Sequence, residues 1–162
     1  KISMTAATAK TFAGGSATYN CTLENAGAGA LTISGSNTFD NITNSVQPTT
    51  FTFTSGTTTT VNNFNVSGTA GNVVTINSTT PGSPATLFKA SGTVSVSYAT
   101  ISDSVATGGA TWQAYTINGN TDGGGNTGCD IAVEAAQQAS TVWHSTRRGL
   151  NRLCAPARAG VR

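Results

Sequence analysis

Short runs of alternating apolar residues recur along the chain at nearly constant intervals. The five runs occupy positions 31–33, 51–53, 74–76, 94–96 and 115–117, so the interval between them changes little. Apolar residues at alternate positions turn one face of a strand inward, and Gly, Asn, Ser and Pro between the runs supply turns. A fixed period of strands and turns is typical of a β-solenoid, whose stacked coils share one narrow core.

Weaker runs lie about half a period away, at 64–66 and 87–88. These also fit a β-sandwich, in which strands follow one another at short intervals between turns. The small drift between repeats favours the solenoid, and the sandwich remains the alternative. We therefore predict an all-β fold, a parallel β-solenoid of about four to five coils over residues 30–128. Its interior stack is predicted to contain Ile33, Phe53, Ile76, Val96 and Ile117.

The composition agrees with an all-β fold. Thr, Gly, Ser and Asn supply 79 of the 162 residues, and charged residues make up 9%, against roughly 25% in typical soluble domains. This composition excludes a helical bundle, and a net charge of +2 is too small for a disordered chain. No apolar run reaches the length of a membrane span, so no membrane partner is expected. The first residues lack the apolar region of a signal peptide, so we expect either a removed leader or a fragment of a longer chain.

The net charge of the chain changes sign near Gly128. Residues 1–128 carry a net charge of −1, and residues 129–162 carry +3 with five arginines. We predict three parts: an N-terminal cap (1–30), the solenoid repeats (31–128) and a basic, partly helical tail (129–162). Asp130 is the predicted N-cap of the tail helix, over 131–139.

The tail is the predicted contact with other subunits. Trp143, Arg147, Arg148 and Arg152 are the candidate interface residues of a homo-oligomer, most simply a trimer. The arginines lack a repeating phosphate-contact pattern, so a protein partner is favoured over nucleic acid.

Acidic residues are too few to indicate catalysis. Polysaccharide hydrolysis needs two carboxylates about 5 to 10 Å apart, and the best pair is Asp103 and Asp122, close to one period apart. Both are better explained as turn caps. The single histidine, His144, lies in the tail without a Ser-His-Asp set. We predict that the chain is not an enzyme.

No cofactor or metal site is predicted either. The stretch 122–126 lacks the alternating oxygen ligands of a calcium loop, and Cys21, Cys129 and Cys154 form no CxxC motif. Cys129 and Cys154 can pair, although three free thiols are the simpler interpretation.

Outward positions predict two polar ladders. One contains Thr32, Thr52, Thr75, Ser95 and Thr116, and the next contains Ser34, Thr54, Asn77, Ser97 and Asn118. Threonine is a good strand former, and its neighbours are expected to hydrogen-bond along such ladders. An array that orders water, as in ice-binding proteins, is the alternative. Trp112 and Tyr115 are predicted to plug the end of the tube, with stacking on a glycan as the alternative.

Several segments carry a family resemblance. Residues 35–61 and 64–76, followed by 91–94, 106–112 and 119–128, are similar to repeat-rich virion proteins of tailed bacteriophages. Similar repeats also occur in bacterial surface adhesins. The family pattern usually places Trp after Asn-Thr-Gly, where this chain has Cys129, and the tail departs from the pattern.

The resemblance implies a tail fibre, spike or capsid decoration. Such proteins are commonly β-solenoids and often trimers, displayed on the virion surface. Their partners are other virion proteins and, for adhesive members, a host surface glycan. A bacterial adhesin, an ice-binding protein and a polysaccharide-degrading tailspike remain alternatives.

Overall fold

The computed structural model describes residues 1–132, and these form a parallel β-solenoid of about six coils. The predicted fold class is therefore confirmed. Fifteen strands build it: β1 Ile2–Met4, β2 Lys10–Ala13, β3 Thr18–Asn25, β4 Leu31–Ser34, β5 Thr38–Asn44, β6 Thr50–Phe53, β7 Thr58–Asn65, β8 Val74–Ser78, β9 Ala85–Phe88, β10 Thr93–Ser95, β11 Ala99–Ile101, β12 Ser104–Thr107, β13 Thr111–Gln113, β14 Thr121–Asp122 and β15 Cys129–Asp130. One 3-10 turn, Thr116–Asn118, precedes β14.

The strands form three parallel sheets. Two have six strands each, in the orders β1-β3-β5-β7-β9-β12 and β14-β11-β8-β6-β4-β2, and the third has the order β10-β13-β15. Every strand pairing is parallel between neighbouring coils. This arrangement excludes the sandwich alternative, whose sheets are antiparallel.

Alternate side chains of each strand fill a continuous core. Leu31 and Ile33 of β4 lie beside Phe51 and Phe53 of β6, and all four are fully or almost fully buried. Burial of such side chains stabilises each coil by about 1.5 to 3 kcal/mol per residue. No single coil can bury its apolar face alone, so the coils are stable only as a stack.

The predicted interior stack is correct only in part. Ile33 lies beside Phe53, but Ile76 lies beside Phe51, since the coil that joins these two positions is longer than the coil before it. Val96 is buried just after β10, on the third side of the tube. Ile117 is 52% exposed in the 3-10 turn, so its prediction was wrong. In this coil the extra length lies in the loop between β7 and β8, and the next coil is lengthened by the added β10. A search for equal repeats detects neither.

The predicted domain boundaries shift at both ends. Residues 1–30, expected as a cap, contain β1, β2 and β3, and these strands continue the two large sheets. They lie at the end of the tube, where Phe12 packs against Tyr19 and Phe39 with ring centroids 5.1 and 5.3 Å away.

At the other end the solenoid continues past Gly128. Strand β15 pairs with β13 and ends at Asp130, whose Oδ1 accepts a hydrogen bond from Ala132 N–H over 3.2 Å. Most of the predicted helix 131–139 lies outside the described residues, so the N-cap role of Asp130 stays a prediction. The remaining tail, including Trp143, Arg147, Arg148 and Arg152, lies outside the described residues.

Candidate binding face

Two rows of threonine run across the outward side of the sheet β14-β11-β8-β6-β4-β2, which we call the threonine face. In the first row Thr11 lies beside Thr32, and Thr32 beside Thr52. The second row contains Thr50, Thr75, Thr100 and Thr121, again as direct neighbours on successive coils.

These rows differ from the predicted ladders. Thr75 lies beside Thr50, and Asn77 takes the position beside Thr52. Ser95 belongs to the third sheet and Thr116 to the 3-10 turn, so both were assigned wrongly. Because the coil between β6 and β8 is longer, Thr75 pairs with Thr50 and not with Thr52, two positions further along the strand. A shift of two positions leaves each threonine on the outward side of the sheet.

The hydroxyls of these seven threonines make no hydrogen bond with another residue of the described part of the chain. Nearby threonines do: Thr54 donates to the carbonyl of Ile33 over 3.2 Å, and Thr57 donates to the carbonyl of Thr54 over 2.6 Å. Hydrogen bonding along the ladder, expected from the sequence, is therefore not formed in these rows. Neighbouring hydroxyls in a row are spaced by the strand separation of about 4.8 Å.

On the other large sheet several polar side chains do form hydrogen bonds, and we call the outward side of this sheet the amide face. Here side chains bond from coil to coil. Asn65 donates to Oδ1 of Asn41 over 3.0 Å, and Thr43 donates to the carbonyl of Asn65 over 3.0 Å. Asn44 donates to the carbonyl of Ser67 over 3.0 Å. The asparagines of the amide face therefore join the coils, whereas the seven threonines of the threonine face leave their hydroxyls available to solvent or a ligand. The amide face also has a shorter threonine row, Thr18, Thr38 and Thr60, whose side chains make no hydrogen bond within the described residues.

A groove of about 230 Å³ opens on the threonine face. Its lining carries no ionisable group and combines hydroxyls with small apolar side chains. The lining residues are Ala28, Pro48, Thr49, Thr50, Val73 and Thr75.

Hydrogen bonds behind the groove hold its floor. Buried Asn25 donates to Oγ1 of Thr49 over 2.7 Å, and Thr75 N–H donates to the carbonyl of Thr49 over 2.9 Å. Gly29 sits so close to the neighbouring coil that a Cβ there would lie 1.9 Å from the carbonyl oxygen of Thr8. These contacts fix the backbone on which the lining side chains stand.

An exposed apolar edge borders the second threonine row. Val73 is 39% and Tyr98 is 37% exposed, and the two are neighbours, because Val74 N–H donates to the carbonyl of Tyr98 over 3.0 Å. The Tyr98 ring lies over Gly119, where a Cβ would be 2.4 Å from the ring. Nothing in the repeat pattern pointed to Val73 or Tyr98, because both lie in connections between runs.

The aromatic residues predicted from sequence lie elsewhere. Trp112 is only 4% exposed, and its ring packs 5.8 Å from that of Phe64. Its ring is therefore packed in the core, and little of it is exposed for the glycan contact considered from the sequence. Tyr115 is half-buried directly before the 3-10 turn.

The carboxylate pair is used in turns. Asp103 accepts a hydrogen bond from Gly82 N–H over 3.1 Å. Asp122 accepts from Gly124 N–H over 2.9 Å and from Nδ2 of Asn126 over 2.7 Å. Asp122 lies beside Ile101 in the sheet. Asp122 therefore caps its own turn, as expected, whereas Asp103 bonds to a turn of the neighbouring coil.

The described residues contain no group of three His, Cys, Asp or Glu side chains arranged to hold a metal ion. Cys21 and Cys129 form no disulfide within residues 1–132, and burial, with smaller effects of Asp130 and Asp122, raises the pKa of Cys129 to about 11. Cys154, the predicted partner of Cys129, lies outside the described residues, and so does His144.

Comparison with known proteins gives no relative: no family profile, curated protein or solved structure matches this chain. Among the residues that the structure describes, no helix has the length and hydropathy needed to span a membrane.

Proposed function

We propose that the chain is a non-enzymatic structural or adhesive component of a bacteriophage virion: a fibre, a spike or a capsid decoration. The observation that carries the proposal is the difference between the two large faces. The amide face bonds coil to coil through side chains such as Asn44 and Asn65, while the hydroxyls of the threonine face stay unpaired within the described residues.

This division suits a part that must be rigid and must also present a surface. Coil-to-coil bonds on one side resist shear between repeats, since each coil contacts only its neighbours. Uncharged hydroxyl rows on the other side offer hydrogen-bond donors and acceptors at regular spacing. The sequence resemblance to virion repeat proteins supplies the setting.

Localisation tests the virion part of the proposal. Antibodies against residues 1–132 are used to label purified particles and, separately, cell envelopes of the host culture, with electron microscopy as readout. We expect label on particles. Label confined to cell envelopes would replace the virion proposal with the bacterial adhesin alternative.

An activity assay tests the non-enzymatic part. The purified chain is incubated with host surface polysaccharide, and new reducing ends are measured against the D103N/D122N double variant. We expect no release from either protein. Release by the parent chain that the double variant lacks would identify a polysaccharide-degrading tailspike.

Ice binding is the second candidate function, and one specific observation favours it. Seven threonines in two rows expose methyl and hydroxyl groups together without partners in the described chain. Such a surface can order water at regular spacing. Thermal hysteresis of the parent chain and of T11V/T32V is the measurement, and its absence in the parent chain excludes this candidate.

A further inference from the structure

We propose that the groove of the threonine face binds one ring of a neutral oligosaccharide, whose chain continues along the second threonine row. This inference rests on the adhesive part of the proposed function and gives it a site and a ligand class. The groove, Thr100 and the apolar edge of Val73 and Tyr98 form one continuous surface on neighbouring coils.

The chemistry of the lining selects the ligand class. A sugar ring carries hydroxyls around its edge and C–H groups on its faces. The groove offers hydroxyls of Thr50 and Thr75 together with the apolar surfaces of Pro48 and Val73. No lining residue is ionisable, so the site has no charged partner for a carboxylated or sulfated sugar, which would lose hydration without compensation.

The size of the groove sets how much ligand it holds. Its volume of about 230 Å³ lies below the range of roughly 300 to 1,000 Å³ typical of drug-sized ligands. A single ring is therefore the matching unit. Tyr98 follows Val73 on the next coil, and its ring, which lies over Gly119 and is partly exposed, adds an aromatic surface for a following sugar.

The site is preorganised. Thr49, at its floor, is held from behind by Asn25 over 2.7 Å and bonded through its carbonyl to Thr75 over 2.9 Å. A ligand therefore orders few side chains on binding, which lowers the entropic cost of association.

Arrays of defined neutral and acidic oligosaccharides test the ligand class. The full chain, labelled on its lysines, is applied at low and high salt. We expect binding to neutral members only, with affinity unchanged by salt, because a neutral ligand gains nothing from charge screening. Binding restricted to acidic members, or no binding to any neutral member, would overturn the inference.

Variants then test whether the groove is the binding site. T50V and T75V keep the side-chain shape and remove one groove hydroxyl each, and T11V makes the same change on the threonine face away from the groove. Each groove variant is expected to weaken the best array ligand about fivefold, the size of one hydrogen bond, while T11V binds as the parent. Equal affinity of T50V, T75V and parent would refute the site.

Further outcomes separate the inference from the proposed function. Neutral sugars bound equally by all variants would leave the adhesive function intact and place its site elsewhere. A particle-bound chain that binds no sugar would be structural only. Thermal unfolding of each variant, measured alongside, must match the parent, and a variant that unfolds early is replaced by T50A or T75A.

Discussion

The side-chain amide of Asn120 binds the backbone of Ala99 on the preceding coil: Ala99 N–H donates to Oδ1 of Asn120 over 2.9 Å. The same side chain donates to the carbonyls of Val96 and Tyr115 over 2.7 and 3.0 Å. One buried side chain thus satisfies three backbone groups at a corner where the chain leaves the strands.

Replacing Asn120 with alanine is therefore expected to cost about 3 kcal/mol or more of unfolding free energy, because three backbone groups lose their partner and at least two lie in the interior. Urea unfolding followed by circular dichroism measures the change. Asn63→Ala is the control, as Asn63 lies exposed in β7, and its loss should stay within about 0.5 kcal/mol. A similar cost for both variants would contradict the role assigned to Asn120.

Two glycines have similar positive φ angles but differ in the space around them. Their alanine variants therefore distinguish the cost of backbone strain from the cost of a steric clash. Gly128 has φ +74, and a Cβ there would lie 2.0 Å from the carbonyl oxygen of Ala106, whereas Gly56 has φ +70 and open space. Gly56→Ala is expected to cost about 1 kcal/mol, the left-handed penalty alone. Gly128→Ala should cost clearly more, because the coils must move apart. Thermal unfolding of the two variants measures the difference, and equal costs would show that coil spacing at Gly128 is soft.

The contacts of the Glu24 carboxylate, at the N-terminal end, predict that the stability of the fold depends on pH. It accepts hydrogen bonds from Lys1 Nζ over 2.8 Å and Ser3 Oγ over 2.6 Å, and the bond from Lys1, followed by that from Ser3, lowers its pKa. A carboxyl with a lowered folded pKa contributes stability above its ordinary pKa near 4.5, which is lost as the pH falls through the folded value.

Glu24→Gln is thus expected to cost under about 1 kcal/mol at pH 7, since Lys1 is largely exposed and the pair is screened. The difference from the parent should shrink as the pH is lowered below the ordinary value. Unfolding free energies at several pH values check this. A difference that stays constant down to the lowest pH would mean that packing, and not charge, explains the effect.

Cys129 should resist alkylation in the folded protein. Its pKa of about 11 leaves about one thiol in a thousand as the reactive thiolate at pH 8. Iodoacetamide labelling followed by peptide mass mapping should show slow modification of Cys129 in the native state and rapid modification in urea. Rapid native labelling would show that the interior opens at this end of the tube.

Local pattern was sufficient to predict the coils. Side chains of a strand alternate between two faces, so the spacing of Leu31 and Ile33, or of Phe51 and Phe53, states which positions point inward. The near-constant interval between such runs then requires stacking, because one coil cannot cover its own apolar side. Solenoid architecture and outward threonines were therefore predictable from the chain alone.

Register and exposure were decided only by the folded structure. The outward period of two lets Thr75 face solvent beside either Thr52 or Thr50, and the loop between β7 and β8 selects Thr50. The same alternation does not reveal that Trp112 is packed against Phe64 while Tyr98 remains at the surface. These outcomes depend on which coil covers which corner. That is a property of contacts between residues a full coil or more apart in the chain, and no local sequence pattern encodes it.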